Sequence, residues 1–96
     1  MWEARVRPGM LDELAAWLLG DAWELMAAVD GFLAGELYRS YEGAPRLVLV
    51  THWRDESALE AFAGAGWRTD PVVADAGRDY LAGEPQVWHF SRVRPP

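Results

Sequence analysis

The sequence predicts an α+β domain built in the order β-α-β-β-α-β. Three observations predict it. Four short stretches read as strands, and between them lie two stretches with apolar residues at helical spacing. The run Leu47-Val48-Leu49-Val50 is apolar on both faces, so its strand sits in a sheet covered on both sides. The chain has 96 residues, enough for one domain (1–96) and too few for two.

Residues 1–7 alternate, with Trp2, Ala4 and Val6 on one face and Glu3, Arg5 and Arg7 on the other. Period two reads as a strand, and Pro8-Gly9 ends it. Residues 10–29 carry the helical period: Leu11, Leu14, Ala15, Leu18, Ala22, Leu25, Met26 and Val29 form one stripe, flanked by Trp17 and Trp23. Gly20 lies opposite and permits a bend. Asp30-Gly31 stops the pattern. Residues 32–42 and 46–54 read as two strands joined by Glu42-Gly43-Ala44-Pro45, a hairpin.

Asp55 can cap the next helix, with Ser57 and Glu60 as the alternative capping box. Leu59, Phe62 and Ala63 give its buried face, and Gly64-Ala65-Gly66 interrupts it. Asp70-Pro71 is expected to restart a helix, with Val73, Ala76 and Tyr80 at helical spacing. Residues 86–94 form the last strand, with Trp88 and Phe90 on one face and Val87, His89, Ser91 and Val93 on the other. The order is ferredoxin-like, a four-stranded antiparallel sheet with two helices on one face. A second copy of the sheet would cover the other face, so a homodimer is expected.

Composition narrows the function. The formal net charge is -6, all nine basic residues are Arg, and no basic run marks a nucleic-acid or membrane partner. There is no Cys, which excludes disulfides, thiolate catalysis and Cys-based metal sites and fits a cytoplasmic protein. The N-terminus has no secretion-signal h-region, and no apolar run approaches the roughly 20 residues that span a bilayer.

His52 and His89 are the only histidines and the candidate general bases. Their spacing matches no metal-binding motif, so no metal site is expected. An aromatic set including Trp2, Trp53, Phe62, Trp67 and Trp88 can line a cavity for a flat ring, or simply fill the core and a dimer interface. Trp67, following the glycine break, is the expected pocket wall, with Arg68 or Tyr38 reaching a ligand oxygen.

The stretches VRPGMLDELAAWL (6–18), DGFLAGELYRS (30–40) and RLVLVTHWRDESALEAF (46–62) resemble the antibiotic biosynthesis monooxygenase family. The Gly-Phe before the second strand and the Trp-x-x-x-x-Ala-Leu entry into the second helix are the most specific parts. The resemblance implies a dimeric α/β barrel with a ligand cavity between sheet and helices in each subunit. It also implies cofactor-independent oxygenation of a small electron-rich aromatic: a phenol, a quinol or a polyketide-like ring system. The family's haem-degrading branch uses an Asn on the first strand, a Trp in the second helix and a His beyond it. This sequence has no Asn, the helix position lies near Ala63, and the His region reads Asp70-Pro71-Val72-Val73. Neither haem, flavin nor metal is therefore expected as a cofactor. The alternative is a non-catalytic dimeric module of the same fold that binds a small ligand or a partner.

Overall fold

Alternation at the start of the chain makes a strand, β1 (Trp2–Arg5), with Ala4 buried and Arg5 exposed. A single bridge, Val6 to Leu81, extends its pairing by one residue. The computed structural model describes residues 1–72 and 75–93, apart from the side chains of residues 75 and 76.

The long amphipathic stretch is helical but not uniformly α. Helix α1 (Leu11–Trp17) runs into a π-helical turn, Leu18–Ala22, and resumes as α2 (Trp23–Ala27). Gly20, the poorest helix former of the run, lies inside the wide turn. An i→i+5 turn holds one residue more than an α turn, which rotates everything after it by about 100°. That rotation explains why the straight stripe is only partly inward. Leu14, Leu18 and Met26 are buried, whereas Leu25 is 63% exposed.

Strands β2 (Phe32–Arg39) and β3 (Arg46–Trp53) form the expected hairpin, with Leu37 opposite Leu49 and a bulge between Phe32 and Ala34. Helix α3 (Glu56–Ala63) starts at Asp55, whose Oδ1 accepts the Ala58 N–H at 2.9 Å, so Asp55 and not Ser57 is the cap. It stops at Gly64, which takes φ 87°, a conformation that costs glycine least.

The helix restart differs from expectation. Asp70 belongs to a turn in which its N–H meets the Gly66 carbonyl at 2.9 Å, and its carboxylate accepts the Thr69 hydroxyl instead of capping a helix. The next helix, α4, is Asp75–Arg78. Val73 and the end of the last strand at Arg94 lie outside the described residues, as does the side chain of Ala76. The last strand is short: β4 is Gln86–Val87, Trp88 still bonds the Met1 backbone in both directions, and His89 then packs against the Trp67 loop.

The sheet order is β2-β3-β1-β4, all antiparallel, so the third and fourth strands both flank the first. Ala4, Val6, Leu47 and Leu81 meet Leu14 and Leu18 to form the core. On β3, Leu47 and Leu49 point into that core, while the alternate residues Val48 and Val50 lie half-buried on the outer face. Arg46 bridges to Glu3 at 3.3 Å across β1 and β3. Among the described residues, no helix is long and apolar enough to cross a membrane.

Candidate functional site

A cavity of about 160 Å³ lies between the inner face of the sheet and the helices. Its size is close to the roughly 150 Å³ of an engineered apolar cavity that takes up benzene. Trp2 from β1, Leu49, Thr51 and Trp53 from β3, and Val87 from β4 form the floor. The helical run supplies Leu14, Trp17, Leu18, Ala22 and Met26. The π-turn therefore contributes directly, through Leu18 and Ala22. Phe62 and Ala63 of α3 close one side, and the loop after α3 brings Trp67 and Asp70 to the edge.

Aromatic packing sets the shape of the wall. Trp53 is stacked on Phe62, with centroids 5.4 Å apart and planes 24° apart, and meets Phe32 edge-on at 5.3 Å. The Trp53 Nε1–H donates to the Thr51 hydroxyl oxygen at 2.9 Å, which fixes both side chains. Trp67 has His89 edge-on at 4.9 Å, and the Arg68 guanidinium lies over its ring at 5.0 Å.

The sequence candidates divide between the two sides of the sheet. Trp53 and Trp67 line the cavity. His89 stands behind Trp67, with Nε2 2.7 Å from the Trp67 carbonyl oxygen. A carbonyl can only accept, so Nε2 carries the proton in that contact. Arg68 is outside the lining, exposed and 3.7 Å from Glu56. Trp88 and Tyr38 are also outside it. Tyr38 is on the outer face, where its hydroxyl donates to Glu36 at 3.3 Å. The Glu36 charge pushes the Tyr38 phenol above its ordinary range, aided by desolvation and by that hydrogen bond. His52 lies beside them, 3.9 Å from Glu36. It alternates with Thr51 and Trp53, which line the cavity, so it lies on the other face of the sheet from the cavity.

Three polar wall groups were not singled out by sequence reasoning. Trp2 shares the inward face of Ala4 and Val6 and was legible only as one aromatic among many. Thr51 falls on the face of Leu49 and Trp53, a position that period two reveals. Asp70 gave a helix-cap signal that hid its place at the cavity edge. Among the described residues, no three His, Cys, Asp or Glu side chains gather as a metal site needs.

Comparisons with known proteins agree with this fold. The family model for antibiotic biosynthesis monooxygenases matches residues 1–66. Two mycobilin-producing haem oxygenases, from two strains of Mycobacterium tuberculosis (CDC 1551 / Oshkosh and ATCC 25618 / H37Rv), are each 38% identical over 53 residues. Those matches cover 48% of this chain and 50% of each relative, so the chain spans about half the length of the curated relatives it matches. Among solved structures, a monooxygenase from the gene ActVA-Orf6 of Streptomyces coelicolor, in complex with the ligand nanaomycin D, superposes with a TM-score of 0.66. It is 21% identical, with 99% of this chain and 88% of that chain covered, a likeness of fold.

Proposed function

The chain belongs to the antibiotic biosynthesis monooxygenase family, and from that premise we propose that it is a cofactor-independent monooxygenase acting on a small electron-rich aromatic. The observation that carries the reading is the apolar cavity walled by Trp53, Phe62 and Trp67. Flat aromatic walls favour a flat ring, and a dry cavity protects a carbanion from water.

The chemistry needs no outside reductant. A methylene activated by flanking rings and a carbonyl loses a proton to a base. The resulting anion supplies electrons to O₂. Over the whole reaction the CH₂ becomes C=O: one oxygen atom enters the product, and the other leaves as water with the two hydrogens. Asp70 is the carboxylate in the wall and is assigned as the base. His89 holds Trp67 by its carbonyl, so it acts as a positioning residue.

The test is oxygen uptake by the purified protein with an anthrone such as dithranol under air. One O₂ consumed per anthrone, falling about 100-fold or more in Asp70→Asn, supports the enzyme. Binding without uptake supports the non-catalytic alternative.

The likeness to mycobacterial haem oxygenases favours a second reading, with haem as substrate. Among the described residues, the lining contains no His, Cys or Tyr to ligate the iron, and its size suits a ring far smaller than a porphyrin. Haem titration separates the two readings: a stoichiometric Soret shift would support the second.

We further propose a homodimer joined through the outer sheet faces. Val48 and Val50 are half-buried there within the single chain, and a second sheet would complete their burial.

A further inference from the structure

We propose that Gly77 sets how much bulk the cavity admits on a ring, by letting the Trp17 indole stand back against α4. This deepens the assignment of the cavity as a ligand site and rests on it. Trp17 ends α1 and Gly77 lies in α4; both line the cavity, and Gly77 is buried. A Cβ at position 77 would lie 3.2 Å from Cζ3 of Trp17, 3.4 Å from Cη2 and 3.8 Å from Cε3. These carbons form one edge of the six-membered ring. The indole edge therefore rests on the Gly77 backbone, closer than a side chain there ordinarily allows.

Nothing in the local backbone calls for glycine at 77. Its φ is outside the left-handed region, so alanine can take the same angles, and alanine is the better helix former. What the missing side chain provides is room for Trp17. A methyl at 77 would force the indole to give by a few tenths of an ångström. Trp17 also packs against the core that holds Leu14, Leu18 and Leu81, and a close-packed core yields little. The cavity is open volume that the indole borders, so the ring moves there. At about 160 Å³ the cavity is near the size that takes one benzene, so a small inward shift of a wall this broad decides whether a substituent on the ring still fits. Bulk is thus selected by a residue on α4 with no side chain of its own to touch the ligand.

The experiment compares phenol with 4-ethylphenol by calorimetric titration under nitrogen, in the wild type, in Gly77→Ala and in the double variant Gly77→Ala/Trp17→Phe, with urea denaturation of each. The wild type should bind 4-ethylphenol about tenfold more tightly than phenol, as expected for two more buried carbons. In Gly77→Ala that preference should fall to about twofold or less, in a protein that still unfolds cooperatively. Trp17→Phe removes the ring edge that meets the new methyl, so the double variant should recover the preference. A preference that survives Gly77→Ala, one that is lost there and not recovered in the double variant, or equal binding of the two phenols by the wild type would each overturn the role of Gly77. So would a Gly77→Ala protein that does not fold, since Trp17 would then have no room to yield. Phenol binding by the wild type keeps the cavity reading intact in all four cases. Failure of both phenols to bind the wild type would remove the cavity reading and this inference together.

Discussion

His89 holds the main chain of Trp67: its Nε2 lies 2.7 Å from the Trp67 carbonyl oxygen and its ring sits edge-on to the indole at 4.9 Å. The segment after β4 thereby pins the loop after α3, at the edge of the cavity. His89→Ala should cost about 1–2 kcal/mol in urea denaturation, from one hydrogen bond and a ring contact. With a turned-over substrate, KM should rise more than kcat falls, because the substitution loosens a wall and removes no base. A kcat loss of 100-fold at unchanged KM would instead make His89 the proton acceptor.

Trp67→Phe keeps much of the ring surface at the cavity edge. Stability should fall by no more than about 1–2 kcal/mol, while affinity for a planar aromatic falls measurably. Calorimetric melting and ligand titration on the same sample separate the two effects. A stability loss with unchanged affinity would mean that Trp67 only plugs the gap beside the glycines.

Two glycines at positive φ should respond unequally to alanine. Gly31 has φ 101°, and a methyl added there would overlap the Ala58 methyl at the start of α3. Gly43 has φ 77° in open space. Gly43→Ala should cost about 1–2 kcal/mol, the strain of the left-handed region alone. Gly31→Ala should cost about 3 kcal/mol or more, because overpacking adds to the strain. Equal denaturation midpoints for the two variants would contradict this difference.

Adjacent residues on β3 should separate folding from assembly. Leu49 is 7% exposed in the core, so Leu49→Asp buries an unpaired carboxylate and should leave no cooperative melting transition. Val48 is on the outer face, so Val48→Asp should give a folded monomer where light scattering of the wild type reads about twice the 10.8 kDa chain mass. A wild-type protein that stays monomeric at high micromolar concentration would remove the proposed interface.

Acid should weaken the start of α3. The Ala58 N–H holds the Asp55 carboxyl below its ordinary value, assisted by Arg54 and opposed by desolvation. A carboxylate with a depressed folded pKa contributes stability that is full above its unfolded pKa, near 4, and is lost as the pH falls through the folded value. Asp55→Ser keeps an acceptor at the cap without a titrating group. Denaturation midpoints of wild type and Asp55→Ser should therefore converge below about pH 4, and a gap that stays constant from pH 7 to pH 3 would refute the assignment.

Much of this architecture was legible because it rests on period. Alternation located β1 and the turn-forming Glu42-Gly43-Ala44-Pro45 located the β2–β3 hairpin, whereas the run apolar on both faces left open which of Val48 and Leu49 meets the core. Trp67 was legible as a wall because three small residues precede it. The π-turn was not, since helical spacing at Leu18 and Ala22 reads the same until the extra residue has left Leu25 largely exposed beside the cavity and Met26 buried. β4 was overextended because Trp88 and Phe90 alternate like strand residues, although pairing ends with the Trp88–Met1 bonds and His89 packs on a loop. Asp70-Pro71 carried a helix-start signal that the turn to Gly66 overrode. Gly77 could not be singled out, since a glycine that makes room for an indole shows itself only once its neighbours are placed.

The wide turn at Leu18–Ala22 has a further consequence, for how this protein can change. A regular helix links its two ends rigidly, so repacking one end drags the other. Here the supernumerary residue is slack between two half-helices with different partners. Leu14 answers to the centre of the sheet, whereas Trp23 presses on Phe32 and on the backbone of Gly35. Substitutions in one half can be absorbed at the turn before they reach the other. The chamber wall is therefore adjustable in its own right, and a lineage could retune what fits inside without renegotiating the core that keeps the domain folded.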